Sequence, residues 1–258
     1  MIHIRRACLG EGAVVAEQIR LSLPPELAGL TIWHCRGVHS WVEERIKAQD
    51  ASMFYVAVDE RGGIGGEIVG AAEFRVVESA VFLNQIGVTA TLRGNSIGGR
   101  LLAAGLRDMG AANGLRSVAL DVDPANKHAY EWYSRIGFGG GPETLWMLGV
   151  PRPEAVEPAP VEGWDEARRE HECFGFSRFG LWTAGEVHEI GRLGDELFRI
   201  TTQGAWSEPA VHAALDRLDA GRRVLLIQDA LAEGADPVRR TERMRAQLAP
   251  VLAKLPPP

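Results

Sequence analysis

Residues 53–88 hold three strand-length apolar segments in succession: MFYVAVDE from Met53, EIVGAAEFRVV from Glu67 and AVFLNQIGV from Ala80. Runs of this length, rich in β-branched and aromatic side chains and bounded by turn residues, read as β-strands. The glycines of RGGIGG, residues 61–66, form a hairpin turn between the first two, because glycine reaches positive φ without steric cost. An antiparallel sheet therefore stands at the centre of the chain. In front of it, IHIRRA alternates as an edge strand does, and GAVVAEQIRLSL shifts to helical spacing. SWVEERIKAQD reads as a second helix, with Ser40 as N-cap and Glu43 completing a capping box. Behind it come a helix over residues 97–112 that stops near Asn113 and Gly114, a continuous apolar strand RSVALDV, a helix ANKHAYEWYSRI and a strand ETLWMLGV. Hairpins first, then alternation of strands with helices, give an α/β fold ending near Val150.

PRPEAVEPAPVEG then places four prolines in thirteen residues, which no regular helix or strand accepts. The expected organisation is a first domain over residues 1–150, a semi-rigid linker over 151–163 and a smaller α+β domain over 164–258. In the latter, FGFSRFGLWT, VHEIGRLG and DELFRITT read as strands, with turns at Ala184 and Gly185 and at Gly194 and Asp195. A helix SEPAVHAALDRLD follows, with Ser207 as N-cap and Pro209 in its first turn. A strand RRVLLIQDA and a helix over residues 236–255 complete it. This order parallels part of the first domain.

The 46% of apolar residues can build a real core without disulfides. Cys8, Cys35 and Cys173 are odd in number and lack zinc-ligand spacing, so they are expected as free, buried thiols in a reducing compartment, with no metal. A net charge of −6 with dispersed basic residues argues against a nucleic-acid groove. With no signal-peptide run and no stretch long enough to span a bilayer, the expected location is the cytoplasm, away from membranes. All 28 basic residues except Lys47, Lys127 and Lys254 are arginine, a bias suggesting a GC-rich, bacterial coding sequence.

The chemistry begins at LRGNSIGGRLL, where a glycine turn runs from the strand ending at Val88 into the helix at Ile97. A helix start leaves backbone N–H groups unpaired and carries partial positive charge, and glycines let a phosphate approach them. An ordinary strand-to-helix turn is built the same way. The spacing is not that of a dinucleotide fingerprint, and the absence of Gly-Lys-Ser or Gly-Lys-Thr excludes a Walker loop. Downstream, DVDPANKHAYEWYSRIGF sets Asn126 after the buried strand, Ala129 and Tyr133 four apart on one helical face, and Gly137-Phe138 at the helix end.

Together the two motifs resemble the GNAT superfamily of acyl-CoA-dependent N-acyltransferases across roughly the first 150 residues. The family's phosphate turn, Gln or Arg, two residues, Gly, one residue, then Gly or Ala, aligns with residues 93–98, with Ser96 in place of the middle glycine. The resemblance implies a mostly antiparallel, splayed sheet flanked by helices. It also implies that CoA is held by Arg93, Gly94, Asn95, Ser96, Ile97, Gly98 and Gly99 and by backbone groups of Ile86, Gly87 and Val88. Asn126 would contact the cofactor or a water near the thioester, and Tyr133 would protonate the leaving thiolate.

For the general base the first candidate is Glu73, set between small apolar neighbours in GAAEFRV, with Glu78 and Asp121 as alternatives; water alone can also serve. Trp33, His34, His39 and Trp41 cluster where the family's acceptor pocket is walled, and equally where an amphipathic core would use them. Trp182, His188, Trp206 and His212 show no ligand spacing and are expected to pack. The expected activity is transfer of an acetyl group from acetyl-CoA to a primary amine of a small molecule or peptide. The alternative is a non-catalytic acyl-CoA-binding regulatory module, which the serine at position 96 favours. The second domain, as an accessory or degenerate GNAT-like half, is expected to shape the acceptor side or a homodimer interface.

Overall fold

The computed structural model describes residues 1–48, 52–62, 66–202 and 204–258. In chain order its first half contains β1 (Ile2–Arg6), α1 (Gly12–Ser22), α2 (Val38–Ala48), β2 (Met53–Asp59), β3 (Glu67–Val77), β4 (Ala80–Val88), α3 (Ile97–Asn113), β5 (Ser117–Val122), α4 (Lys127–Ile136) and β6 (Glu143–Gly149). The second half contains β7 (Val161–Glu162), α5 (Trp164–Phe174), β8 (Phe176–Thr183), β9 (Glu186–Leu193), β10 (Leu197–Ile200), α6 (Pro209–Leu218), β11 (Arg223–Gln228), β12 (Ala235–Gln247) and α7 (Leu248–Lys254).

The chain divides into two compact units that interleave in sequence. The first comprises residues 1–25, 39–141 and 242–258, the second residues 26–38 and 142–241. Division at Val150 and division by contact thus differ: β6 counts with the second unit, while the end of β12 and all of α7 count with the first.

In the first unit β1 to β4 form an antiparallel meander, β5 joins β4 in parallel, and residues 242–247 of β12 pair antiparallel with β5. A crossover helix must link parallel neighbours, and α3 is that helix. Its fully buried Leu101, Leu102 and Leu106 lie on one helical face and share a core with Val69, Ala72 and Phe74 of β3. Gly105 is required there, since a Cβ would sit 2.3 Å from the Phe74 ring. Asp108 anchors α3 to the sheet by accepting hydrogen bonds from the Tyr55 hydroxyl and, at 2.6 Å, from Arg6 Nε. On the other face α1 packs so closely that a Cβ at Gly87 would meet Ser22 at 2.6 Å.

The second unit repeats the plan. Its strand order is β6-β11-β10-β9-β8-β7, antiparallel except for β10 and β11, whose connection runs through α6. One face carries a core of Phe179, Leu181, Ile190, Phe198 and Ile200 with Ala167 of α5 and Leu215 of α6. Each unit therefore has hairpins, a helix and a single parallel pair, the mixed, mostly antiparallel class expected.

Several local expectations are corrected. Ser40 lies inside α2, and Glu43 accepts hydrogen bonds from Gly10 N–H (2.6 Å) and Gly12 N–H (2.9 Å), so it caps α1 rather than its own helix. Ser207 ends a 3-10 turn, and α6 starts at Pro209 with Glu208 as an N-cap that makes no side-chain bond. The helix expected over 236–255 is mostly strand, because the edge of β5 recruits it: Met244 lies opposite Leu120, and Arg243 bonds Asp121 across the pair. α5 has no counterpart in the sequence reading. Cys35 is buried, but Cys8 and Cys173 are exposed free thiols. The end of the second expected helix (residues 49–50) and the middle of the 61–66 turn (63–65) fall outside the described residues.

Candidate active site

The opening in the first sheet comes from one extra residue. β3 and β4 pair Phe74 with Leu83 but Glu73 with Gln85, so Asn84 is bulged. A bulge bends its strand and re-aims it. Accordingly β4 keeps its parallel pairing with β5 only from Ala80 to Leu83, against Ser117 to Leu120. Among the described residues, 85–88 have strand partners on the β3 side alone, and the bulged Asn84 has none.

The bulge is tied down by a buried carboxylate. Asn84 Nδ2 donates to Glu73 Oε2, and the Ser52 hydroxyl donates to Glu73 Oε1 at 2.9 Å. Glu73 is only 2% exposed, and burial raises its pKa while the two hydrogen bonds oppose that rise. Neither partner stood out in the sequence, although Asn84 and Gln85 interrupt the apolar run of LNQIGV. The alternative bases are surface ion pairs: Asp121 with Arg243, and Glu78, in the turn between β3 and β4, with Arg245. Arg245 holds the Glu78 carboxyl below its ordinary range.

Past β4, a 3-10 turn over Ala90–Leu92 leads to the glycine segment. Gly94 has φ 81°, and Ser96, the N-cap of α3, has φ 60° without a side-chain cap bond. The first helical bond runs from Arg100 N–H to Ser96 O at 3.0 Å, which leaves the amides of Ile97, Gly98 and Gly99 without helical acceptors. Arg93 Nε donates to Val88 O (3.1 Å) and Asn95 Nδ2 to Leu92 O (3.1 Å), so both side chains brace the turn. A Cβ at Gly98 would meet Trp132, Val88 and Ile86 in ordinary contact at 3.8–4.0 Å, so β4, α3 and α4 converge at this glycine. Gly99 instead faces Pro256, where a Cβ would stand 3.0 Å from the ring, and offers only its amide.

Tyr133 is 6% exposed, beside Trp132 (ring centroids 4.8 Å) and Phe138 (5.6 Å), in the core against which Ile86 and Val88 pack. Burial pushes its hydroxyl pKa well above the usual range, so it is a protonated donor at neutral pH. Asn126 is exposed and its Oδ1 accepts from Ala129 N–H at 3.2 Å: the side chain is the N-cap of α4.

The remaining candidates separate. Trp33 and His34 belong to the second unit, His39 and Trp41 to the first, where Trp41 stacks edge-on against Phe54. In the second unit Trp206 is buried and donates to Glu233 O. His212 Nδ1 accepts from Arg152 N–H, which leaves Nε2–H to donate to Trp206 O. His188 is buried beside Thr183, whereas Trp182 is half-exposed. The start of α6 does not reproduce the start of α3: Glu208 stands at its N-cap, Pro209 lacks an N–H, and all of β10 is paired with β11. Among the described residues no group of His, Cys, Asp or Glu is placed to hold a metal, and no helix is long and apolar enough to cross a membrane.

A mostly antiparallel sheet that splays at a bulge beside an uncapped, glycine-rich helix start defines the GNAT fold. The Acetyltransferase (GNAT) family profile matches residues 28–138, and a domain of that family occupies that part of the chain. Over nearly its whole length the chain is similar in structure to a tandem GNAT protein from the clavulanic acid biosynthesis pathway, with TM-score 0.63 and 12% identity over 96% of this chain and 99% of that one. It is also similar to a GCN5-related N-acetyltransferase from Sphaerobacter thermophilus (TM-score 0.57, 14% identity, 100% and 97% covered). A putative acetyltransferase from Pyrococcus horikoshii gives TM-score 0.57 at 16% identity, with 95% and 89% covered. The fold is accordingly a GNAT N-terminal part followed by a second GNAT-like half. A search of curated proteins finds no match.

Proposed function

We propose that the chain is an acyl-CoA-dependent N-acyltransferase that moves an acetyl group from acetyl-CoA to a primary amine of a small molecule or peptide, with catalysis in the first unit. The observation that carries this reading is the meeting, around Gly98, of the open β4 edge, the acceptor-free amides of Ile97, Gly98 and Gly99, and the aromatic face of α4. The helix-start amides would hold the pyrophosphate, and backbone groups of Ile86, Gly87 and Val88 the pantetheine arm. An amide near Val88 would polarise the thioester carbonyl. The amine nitrogen forms a bond to the carbonyl carbon, the carbon–sulfur bond breaks, and Tyr133 gives its proton to the departing thiolate. The amine sheds its proton to water or, through water, to Glu73, whose pKa burial raises. Asn126 acts by fixing the first turn of α4 and thereby the position of Tyr133.

The test is thiol release from acetyl-CoA over a panel of amines. Tyr133→Phe is expected to lower kcat about a hundredfold with little change in CoA affinity, the share typical of a general acid; full turnover would remove Tyr133 from the mechanism. Gly98→Asp, where a Cβ meets no clash, is expected to abolish CoA binding, since it sets a like charge against the pyrophosphate, and circular dichroism checks that the fold survives. CoA binding without turnover on any amine would favour the regulatory module, which the added Cβ of Ser96 in the phosphate turn supports.

A further inference from the structure

The second unit holds a cavity of about 350 Å³ lined by Trp164, Arg168, His171 and Glu172 of α5, Arg192 of β9 and Leu218 of α6. Trp164, Arg168 and His171 recur at i, i+4 and i+7, so one face of α5 presents all three. His171 is 5% exposed and neither ring nitrogen has a hydrogen-bond partner; the nearest acid, Asp195, stands 3.6 Å from Nε2. The Arg192 side chain is 12% exposed and stacks 4.9 Å from the Trp164 ring centroid, and its Nε is buried without a partner. Ser177, directly across from Arg192 in the β8–β9 register, also buries an unpaired hydroxyl. Buried polar groups are nearly always matched, and four unpaired atoms, of His171, Arg192 and Ser177, gather here.

The charge balance indicates which kind. Asp219 bonds Arg222 and lies 3.6 Å from Arg192, so one carboxylate serves two guanidinium groups. Burial first, and then the neighbouring Arg222, lower the pKa of Arg192; burial and the same two arginines lower that of His171. The other carboxylates nearby, Asp195 and Glu172, are exposed, so at the buried end of the cavity Arg192 and Arg222 share Asp219 alone. Arg168 adds another cation at the solvent-facing rim, beside Glu172. The flat Trp164 ring and Leu218 supply an apolar wall.

We propose that this cavity binds a small organic molecule through an oxyanion group, either a carboxylate or a phosphate ester, seated between Arg168 and Arg192 with the rest of the molecule along Trp164. Arg–oxyanion pairing is the strong, directional form of hydrogen bond, and neutral His171 has one N–H to add.

Calorimetric titration of the full chain with inorganic phosphate and, separately, with succinate distinguishes the two sources of the oxyanion. Saturable binding of at least one is expected, weakened about tenfold or more in Arg168→Gln, as loss of one charge-assisted hydrogen bond requires. Arg168 is exposed, so its replacement leaves the fold intact; Arg192→Met, checked by circular dichroism, should remove binding entirely. CoA affinity should be unchanged in both variants. The proposal is overturned if neither anion binds, or if both bind Arg168→Gln as tightly as the parent chain; water would then satisfy the orphaned groups.

Discussion

Ser96 carries a left-handed conformation that L-residues adopt at a cost of about 1–2 kcal/mol. The turn needs that φ to aim three amides in one direction, which is why a glycine suits the position. Ser96→Gly is therefore expected to raise stability by roughly 0.5–1 kcal/mol, the relief of strain less glycine's greater unfolded-state freedom. Urea denaturation measures it, and a loss of stability would show that the serine hydroxyl has a structural partner. His171 makes a pH prediction. Its folded-state pKa, depressed to about 4 from 6.5, means the unfolded chain takes up this proton first. The stabilisation is complete above pH 6.5 and is lost as pH falls towards 4, by up to about 3 kcal/mol. Denaturation midpoints across that window should fall in the parent chain and flatten in His171→Gln.

At the scale of elements, α3 sits close enough to β3 that only glycine fits at position 105. Gly105→Ala is expected to cost about 1–3 kcal/mol by overpacking against Phe74, despite alanine's better helix propensity, and thermal melting would register it. Periodicity made α3, α4 and the strands around them readable, because each buries one regular face. The glycine turn ahead of α3 and the place of Tyr133 on α4 were readable for a similar reason: their spacing is local. The Asn84 bulge was not, since a bulge is defined by the partner strand, and Glu73 drew notice without its partners Ser52 and Asn84, which lie 21 and 11 residues away. β12 misled for the opposite reason. RRTERMRAQ has the composition of a helix, and the open edge of β5 overrode that propensity. α5 was legible in principle, with Gly163 and Gly175 at its ends and Asp165 and Glu166 in its first turn.

For the whole molecule, the decisive fact is that neither unit is one continuous stretch of chain. Residues 1–150 alone lack Met244, Val251 and Leu255, all buried in the first core, and leave β5 without its outer neighbour. That fragment is expected to aggregate or to melt without a cooperative transition. Replacing residues 142–241 by a short turn should instead restore one, because Gly139 and Arg245 already form an antiparallel bridge and a hairpin can join them. Circular dichroism melts of the two proteins decide the matter; a cooperative transition in the 1–150 fragment would disprove it. Translation meets the same arrangement in time. At ~5–20 residues per second, a nascent chain waits several seconds between leaving the first sheet and making the strand that closes it. Throughout that interval the growing chain carries β5 with an unpaired edge, the kind of edge that pairs with any strand it meets.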